Sequence, residues 1–297
     1  MKDRVAVIGA GGNIGWSVAR GIAGRCEVIP VFHDYIPAGV ANPQRLDITD
    51  AYAVEKLVTR IDPDWVVNMA ACADADLCEK EPQTAHLLNV TAAMNVAAAC
   101  HKAGARLIHY STDLVFDGRK GNYTEEDSPN PLNVYAKTKL DGERAAMEAN
   151  PGKTAILRTA IVFGKGSGKR PGFFETAVGK LAAGAEMKVF SDQYRSFLYV
   201  EDSASAVSAI MDHGLSGVFH AAGDERLSRH EFMLRFCFAF GFSDRLLAPI
   251  RMTDMPGHAP RPADCSLSNA KLKKMTGWSP THLNAALERF KAEVERG

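Results

Sequence analysis

Tyr135 and Lys139 are the residues whose types and spacing first suggest chemistry. They stand four residues apart in the run Tyr-Ala-Lys-Thr-Lys, which places a phenol and an ammonium on one face of a helix. A free tyrosine has a pKa of about 10, and a nearby cation favours its ionised form. A phenol tuned downward in this way can give its proton to a carbonyl oxygen while hydride arrives at the carbon. The pair therefore predicts proton transfer to a carbonyl group.

This spacing alone is not specific, because Tyr52–Lys56 also matches it and is typical of a plain amphipathic helix. The surroundings of the two matches differ. Only Tyr135 follows a strand that ends in hydroxyl groups, Ser111 and Thr112, by a loop long enough to bring the helix and the strand end together. Thr112 can then hydrogen-bond the same carbonyl, and preorganised donors at a developing oxyanion are a large catalytic effect. Tyr135 is therefore the candidate proton donor.

Alternating strands and helices that could position these residues begin at the start of the chain. Val5–Ile8 is a short β-branched run, Gly15–Gly24 has a helical pattern, and Glu27–Phe32 is strand-like again. Further strands are predicted at Trp65–Met69, Leu107–Tyr110, Thr154–Leu157 and Gly217–His220, and helices at Glu81–Lys102 and Val134–Ala149. The alternation predicts an α/β protein with a doubly wound parallel Rossmann sheet and a smaller C-terminal α+β substrate domain.

The composition of the sequence and its pattern of predicted strands change after about residue 164. The loop Gly164–Lys169 is rich in glycine and lysine, lacks the spacing of a phosphate loop, and is expected on the substrate side. We predict that residues 1–164 and about 198–221 form the dinucleotide-binding domain. Residues from about 165–197 and 222–297 are predicted to form the substrate-binding domain.

The first strand runs directly into a glycine-rich turn and then a helix. The turn is Gly9-Ala-Gly-Gly12-Asn-Ile-Gly15, and glycine allows tight turning, close ligand approach and helix–strand packing. Backbone N–H groups at the helix N-terminus can then meet a pyrophosphate. Because the pattern opens a βαβ unit, it predicts a nicotinamide dinucleotide, either NADP (NADPH) or NAD (NADH). Lys139 could also bind the nicotinamide ribose.

The residues that would meet the adenosine end of the dinucleotide are less regular. An acidic residue at the end of the second strand would bind the ribose hydroxyls of NAD, but here Phe32 and His33 precede Asp34. His33 and Asp34 are the candidates for the ribose, and Asp47 with Ile48 is placed to meet the adenine edge. An ordinary loop acid or helix cap is the alternative for both aspartates.

Composition excludes several classes of protein. The chain has 297 residues, and Lys plus Arg equals Asp plus Glu at 35 each, so it lacks the basic character of nucleic-acid-binding proteins. We expect no membrane association, because no apolar run approaches the roughly 18 residues of a membrane span. Six dispersed cysteines without a Cys-x-x-Cys pair predict buried reduced thiols, not zinc or a redox dithiol. We therefore expect a cytoplasmic protein that needs no metal.

Longer motifs resemble the extended short-chain dehydrogenase/reductases. They are Gly9-x-x-Gly12-x-x-Gly15, Ser111-Thr112-Asp113-x-Val-Phe-Asp-Gly118 and Pro131-Leu-Asn-Val-Tyr135-x-Lys-Thr-Lys139-x-x-Gly-Glu143. Within that superfamily the chain most resembles the dTDP-4-dehydrorhamnose reductases. This likeness continues at Val67-Asn68-x-Ala70-Ala71, Asp76-x-Cys-Glu79, Arg261-Pro262 and Leu267-Ser-Asn-x-Lys-Leu272. It covers nearly the whole chain, strongly to Arg158 and loosely beyond.

The resemblance implies roles for individual residues. The catalytic group would be Thr112, Tyr135 and Lys139. The dinucleotide would be lined by Gly9, Gly12, Asn13, Ile14, Asp47, Ala70 and Ala71. A nucleotide-sugar substrate would be bound by Ser111, Asp113, Val115, Phe116, Arg195 and Arg261, with the two arginines toward its diphosphate. The implied reaction is reduction of a 4-keto-6-deoxy sugar nucleotide by NADPH or NADH, in a chain that could form a homodimer.

Departures from the family pattern leave the sugar, and part of the chemistry, open. The tryptophan that these reductases usually carry after Arg-Thr is absent, since the run here is Arg158-Thr-Ala-Ile161. An epimerase or a dehydratase on the same scaffold is one alternative, although the Glu that dehydratases use does not follow Thr112. A non-catalytic regulatory subunit, as found with methionine adenosyltransferase, is another. The complete Thr-Tyr-Lys set argues against that second alternative.

Overall fold

Residues 2–40, 43–168, 171–255 and 257–296 are described by a computed structural model of the chain. The strands in these ranges are β1 (Arg4–Ile8), β2 (Glu27–Phe32), β3 (Gln44–Arg45), β4 (Trp65–Asn68), β5 (Arg106–Thr112), β6 (Thr154–Thr159), β7 (Val162–Phe163), β8 (Met187–Phe190), β9 (Tyr194–Arg195), β10 (Leu198–Tyr199), β11 (Gly217–Ala221), β12 (Leu227–Ser228) and β13 (Leu247–Ile250). The helices are α1 (Asn13–Ile22), α2 (Ala51–Ile61), α3 (Ala75–Lys80), α4 (Pro82–His86), α5 (Ala92–Ala103), α6 (Val134–Ala149), α7 (Phe173–Ala182), α8 (Val200–Asp212), α9 (Arg229–Phe240), α10 (Ala270–Thr276) and α11 (Leu283–Glu295).

A seven-stranded parallel sheet, in the order β11-β6-β5-β4-β1-β2-β3, forms the centre of the fold. Alternate residues of β1 enter cores on opposite faces: Val5 and Val7 on one side, Ala6 and Ile8 on the other. Helices α1 and α8 cover the first face, and α2 and α5 cover the second. The predicted Rossmann fold is confirmed. The strand order reverses at β1, which opens a crevice at the carboxyl ends of β1 and β4.

A second hydrophobic core, rich in phenylalanine, lies beside the sheet. Phe174 of α7, Phe232 and Phe236 of α9 and Phe290 of α11 meet there, and the Phe174 ring contacts the rings of Phe232 and Phe236 at tilted angles. Short strand pairs accompany this core: β7 with β10, β8 with β13 and β9 with β12. Leu272, which the sequence division assigned to the smaller domain, packs in the core of the Rossmann sheet.

Helix Val134–Ala149 has its predicted bounds, and the helical pattern predicted over Glu81–Lys102 is confirmed, although a π-helical turn interrupts the α-helix. The chain forms α4, then a π-helical turn at Leu87–Thr91, and then α5. The wider turn carries Asn89, whose side chain bonds outside its own helix and whose carbonyl lies against Gly142 of α6. Such π-helical turns often occur at functional sites. None of the helices in the described ranges is long and apolar enough to cross a membrane.

Candidate active site

The turn between β1 and α1 requires glycine at two positions, Gly9 and Gly15. Gly9 has a φ of +86°, and a Cβ there would lie 2.8 Å from the backbone nitrogen of Ala70. A Cβ on Gly15 would lie 2.2 Å from the Gly9 carbonyl oxygen. Helix α1 begins at Asn13, and no side chain of the described residues caps it at Gly12. Its first N–H groups therefore face a cradle that fits a pyrophosphate.

This cradle opens into a cleft of about 630 Å³ at the carboxyl ends of the central strands. Nine of the predicted site residues line it: Gly9, Gly12, Asn13, Ile14, Ala71, Ser111, Thr112, Tyr135 and Lys139. A larger groove of about 1140 Å³ runs between α1 and α8 and contains none of these nine residues. We assign the chemistry to the smaller cleft, because it joins the glycine turn to titratable side chains at the strand ends.

Tyr135 is held at the first turn of α6. Asn133 caps this helix by accepting a hydrogen bond from the Ala136 N–H at 2.8 Å, so the phenol projects from a fixed position. Burial raises the pKa of Tyr135, and a hydrogen bond with Thr112 opposes that rise. The predicted downward shift of this pKa is wrong, because loss of hydration disfavours the phenolate more than its polar neighbours favour it. The phenol therefore carries a proton at neutral pH and can donate it.

Lys139 is buried one helical turn further along α6. Its ammonium donates a hydrogen bond to the Tyr110 carbonyl oxygen at 2.6 Å. Burial lowers the pKa of Lys139 to about 8, and the carboxylate of Glu143 opposes this shift. The amine therefore changes charge within the range in which enzymes work.

A buried ion pair lies behind Lys139. Glu143 Oε2 is 2.7 Å from the Arg158 guanidinium, and the Ser111 hydroxyl donates to the same carboxylate. Ser111 thus lines the cleft, but its hydroxyl is bonded on the side away from it. We conclude that Ser111 helps to fix β5 against α6 and β6.

Arg195 and Asp113 do not face the cleft, in contrast to the sequence expectation. Arg195 is 3% exposed and forms an ion pair with Asp113 at 3.2 Å. Its guanidinium also donates to the carbonyl oxygens of Tyr194, Pro262 and Ala263. Burial raises the pKa of Asp113 to about 6, while Arg195 opposes the shift. The N–H groups of Arg195 therefore bind the backbone that follows Arg261 and are not available to bind a diphosphate.

Val115 and Phe116 were predicted to bind substrate, but their side chains are completely buried. Phe116 stacks on Tyr123 with the ring centroids 4.2 Å apart, and both pack with Leu267. A short 3₁₀ turn after β5 points them into this core. Their side chains support the strand end and do not line the cleft.

Arg229 is a cleft residue that the sequence did not reveal. It begins α9, lines the cleft, and lies over the Phe173 ring at 4.7 Å. Within the described ranges no carboxylate pairs with it, and burial together with Arg195 and Arg261 lowers its pKa to about 10. No motif singles it out, because an arginine after a serine cap is common on a helix surface.

Arg261 is oriented by a network that includes Asp76. One oxygen of Asp76 lies 3.3 Å from the Arg261 guanidinium and 2.9 Å from His258 Nδ1. The other accepts a hydrogen bond from the Ala259 N–H at 2.8 Å. These bonds lower the pKa of Asp76 to about 2, with the His258 contact as the largest cause. Asp76 thus ties the loop of Arg261 to α3.

Two of the predicted adenosine residues, His33 and Asp47, line a separate depression of about 320 Å³. Three cationic side chains, Arg45, Lys56 and Arg60, line it together with His33 and Asp47. Asp47 accepts hydrogen bonds from the N–H and the hydroxyl of Thr49, and these bonds lower the pKa of Asp47. The side chain of Ile48 is buried, and Asp34 is at the surface. Ala70 adjoins the glycine turn, as its contact with Gly9 shows. The depression at the predicted adenosine end of the dinucleotide site is therefore rich in positively charged side chains.

Residues of the loop expected on the substrate side lie instead against the glycine turn. Ser167 donates from its hydroxyl to the Gly11 carbonyl at 2.8 Å and from its N–H to Asn13 Oδ1 at 3.1 Å. Lys169 of this loop lies outside the described residues. The position of this loop was predicted from its composition alone, and composition does not indicate which end of a cleft a loop covers.

The fold and the cleft together define an extended short-chain dehydrogenase/reductase. The family model described as "RmlD substrate binding domain" matches residues 3–296. The chain belongs to this family.

Known proteins agree with this assignment. A dTDP-4-dehydrorhamnose reductase of Mycobacterium tuberculosis is 35% identical over 294 residues, which cover 96% of this chain and 91% of that protein. Methionine adenosyltransferase 2 subunit beta of Xenopus tropicalis is 35% identical over 249 residues, 77% of this chain and 70% of that protein. The crystal structure of dTDP-4-dehydrorhamnose reductase from Bacillus anthracis in complex with NADP has a TM-score of 0.89 and 27% identity, covering 99% and 100% of the two chains.

Proposed function

We propose that the chain reduces a 4-keto-6-deoxy sugar nucleotide, with NADPH or NADH as reductant and Tyr135 as proton donor. The observation that carries the proposal is a single cleft that contains the glycine cradle, a protonated phenol and buried Lys139. The reductase from Mycobacterium tuberculosis supports the choice of reaction.

Each residue of the cleft has one task in this proposal. A bound nicotinamide supplies the hydride. The N–H groups at the start of α1 hold the pyrophosphate, and Lys139 holds the nicotinamide ribose. Thr112 orients the substrate carbonyl, and Tyr135 transfers its proton to the carbonyl oxygen as charge develops there. Burial serves this step, because it keeps Tyr135 protonated until a strong base forms beside it.

The adenosine end favours NADPH over NADH in our proposal. Arg45, Lys56 and Arg60 supply positive charge where the ribose of the adenosine is expected, and such charge suits a 2′-phosphate. Replacing Arg45 by alanine is expected to raise the KM for NADPH and leave that for NADH nearly unchanged. Equal changes in both values would contradict the preference.

The substrate diphosphate is assigned to Arg229 and Arg261, and not to Arg195. Arg229 reaches the cleft without a carboxylate partner in the described chain, and Arg261 is about one-third exposed. A guanidinium without an acidic partner in a cleft, such as that of Arg229, is well suited to phosphate oxygens. Arg261 is paired with Asp76 and does not line the cleft, but it is close enough to Arg229 to lower the pKa of that residue, so we assign it a second contact to the diphosphate. Arg195 acts behind them by fixing the loop after Arg261.

The organisation of the chain is the last part of the proposal. We assign dinucleotide binding to residues 1–164 and 198–221 and substrate binding to the remainder, in a cytoplasmic homodimer. Two hydrophobic cores support this division, and α10 is an exception to it because Leu272 packs in the core of the Rossmann sheet. Light scattering on the purified protein tests the dimer, and a monomer mass would contradict it.

The deciding experiment follows nicotinamide absorbance while NADPH or NADH is offered with a panel of nucleotide-linked 4-ketosugars. We expect oxidation that Tyr135→Phe abolishes without weakening cofactor binding. Wild-type rates in that variant would overturn the mechanism. If cofactor binds and no ketosugar is reduced, the role of the Xenopus relative, a subunit of another enzyme, becomes the better explanation.

A further inference from the structure

Two buried thiols meet beside the cleft. The Sγ atoms of Cys72 and Cys78 are 3.5 Å apart. Cys72 is 8% exposed and Cys78 is completely buried. The sequence predicted buried reduced thiols and no redox dithiol, because its cysteines form no Cys-x-x-Cys motif. They meet because the turn before α3 brings the end of that helix back over Cys72.

The thiol pair lies against the proposed proton donor. Cys72 and Cys78 belong to a small apolar cluster against which Tyr135 packs. Ala71 and Ala73, the neighbours of Cys72 in the chain, line the cleft. Any movement of this turn therefore changes both the wall of the cleft and the support of the phenol.

A polar network couples the same turn to α6. Asn89, in the π-helical turn, accepts a hydrogen bond from the Cys72 N–H at 2.9 Å and donates to the Cys72 carbonyl at 3.2 Å. Its amide also donates to the Thr138 hydroxyl at 3.0 Å. Thr138 lies between the two predicted catalytic residues of that helix. Displacement of Cys72 is thus transmitted to the helix by hydrogen bonds as well as by packing.

We propose that Cys72 and Cys78 form an oxidation site, at which a peroxide closes an intramolecular disulfide and lowers turnover at Tyr135. Cys72, the more exposed thiol, attacks the peroxide and becomes a sulfenic acid as one water leaves. Cys78 then attacks that sulfur, the S–S bond forms, and a second water leaves. The two thiols lose two electrons and two protons, and one hydrogen peroxide becomes two waters. A dithiol reductant reverses the change.

The distance between the two sulfur atoms determines how far kcat should fall on oxidation. This expected fall rests on the proposed reductase function. A disulfide holds its sulfurs about 2 Å apart, so the Sγ atoms must approach by about 1.5 Å. A misplacement of about 1 Å near reacting groups can lower a rate by about 100-fold. We expect kcat to fall by about 10-fold or more on oxidation. Burial raises the pKa of Cys78 to about 12, so this thiol is protonated at neutral pH and gives its proton to the leaving water as it attacks the sulfenic acid.

The first test detects the bond itself. Protein treated with hydrogen peroxide is digested and mapped by mass spectrometry, and a titration with phenylarsine oxide counts paired thiols. In the oxidised protein we expect a peptide that links Cys72 to Cys78, and this peptide should disappear after treatment with dithiothreitol. In the reduced protein we expect phenylarsine oxide to bind the pair, and both Cys72→Ala and Cys78→Ala should abolish that binding. Cys26→Ala, which removes a distant and partly exposed thiol, should leave both signals unchanged. Absence of the linked peptide when Cys26 has been oxidised would overturn the proposal.

The second test measures turnover. Wild-type kcat should fall on oxidation and recover with dithiothreitol, and Cys78→Ala should lack this reversible loss. An equal reversible loss in Cys78→Ala, or a formed disulfide with unchanged kcat, would overturn the link to Tyr135. The peptide and arsenical measurements need no substrate, so they remain decisive even if the proposed reductase activity fails.

Discussion

Gly12 and Gly15 allow dinucleotide binding to be separated from the packing of the turn. A Cβ on Gly15 would lie 2.2 Å from the Gly9 carbonyl oxygen and 2.9 Å from its carbon, both backbone atoms that cannot swing aside. Such overpacking costs about 1–3 kcal/mol. At Gly12 the φ is −81°, and the nearest atom to a new Cβ is 3.4 Å away. Alanine there costs the fold less than about 1 kcal/mol, mainly as a poorer helix cap.

The two alanine variants should therefore fail in different ways. Gly12→Ala places a methyl group in the cradle, where we expect NADPH affinity to fall about tenfold or more, because N–H groups can no longer approach the pyrophosphate. Its Tm should fall by less than about 4 °C. Gly15→Ala should lower Tm by about 2–12 °C, the shift that corresponds to its packing cost.

Fluorescence titration with NADPH and thermal unfolding without cofactor measure the two effects separately. Wild-type NADPH affinity in Gly12→Ala would refute the assignment of the cradle. An unchanged Tm in Gly15→Ala would refute the close contact between α1 and the turn.

Three further predictions concern charged groups. Arg229→Ala should raise the KM for the nucleotide sugar by about 10- to 150-fold with little change in kcat, because a charged hydrogen bond contributes about 1.5–3 kcal/mol. The pH profile of kcat/KM for ketone reduction should fall as pH rises through about 8, because Lys139 loses its proton there. Glu143→Gln should lower the free energy of unfolding in urea by about 3–5 kcal/mol, because it leaves the buried Arg158 charge unpaired.

Each of these predictions has a matched control. Arg235→Ala removes an exposed arginine of the same helix, paired with Glu225, and should leave KM unchanged. Lys139→Arg keeps the charge at high pH, so the inflection near pH 8 should disappear; its persistence would assign the titration to another group. Asp141→Asn breaks an exposed pair on α6 and should alter stability by less than about 0.5 kcal/mol.

Stability should respond to pH in the opposite direction to activity. The pKa of Lys139 is about 8 in the folded chain and 10.5 as the ordinary value, so the unfolded chain binds more protons between these limits. The contribution of this residue to the free energy of unfolding therefore rises with pH over that window. In Lys139→Met the free energy of unfolding should rise less with pH than in the wild type. If urea unfolding has the same pH dependence in both proteins, the lowered pKa of Lys139 is contradicted.

The features that the sequence predicted correctly are local ones. The glycine turn of β1 and α1, the alternation of strands and helices, and helix α6 each follow from the residues within one element. Propensity, hydrophobic period and caps act over a few positions, so they can be read without knowing what packs against them. The family likeness depends on these same local motifs.

The features that the sequence missed depend on contacts between distant segments. Arg195 is the last residue of β9 and is charged, yet it is buried because it pairs with Asp113 and donates to the carbonyl oxygen of Pro262. Cys72 and Cys78 meet only after α3 folds back, and Arg229 enters the cleft only because α9 packs beside it. The sequence by itself thus determined the fold class and the chemistry of the candidate groups. Only the tertiary structure decided which groups are exposed to the cleft and which are bonded in the core, because burial and pairing are set by partners far away in the chain.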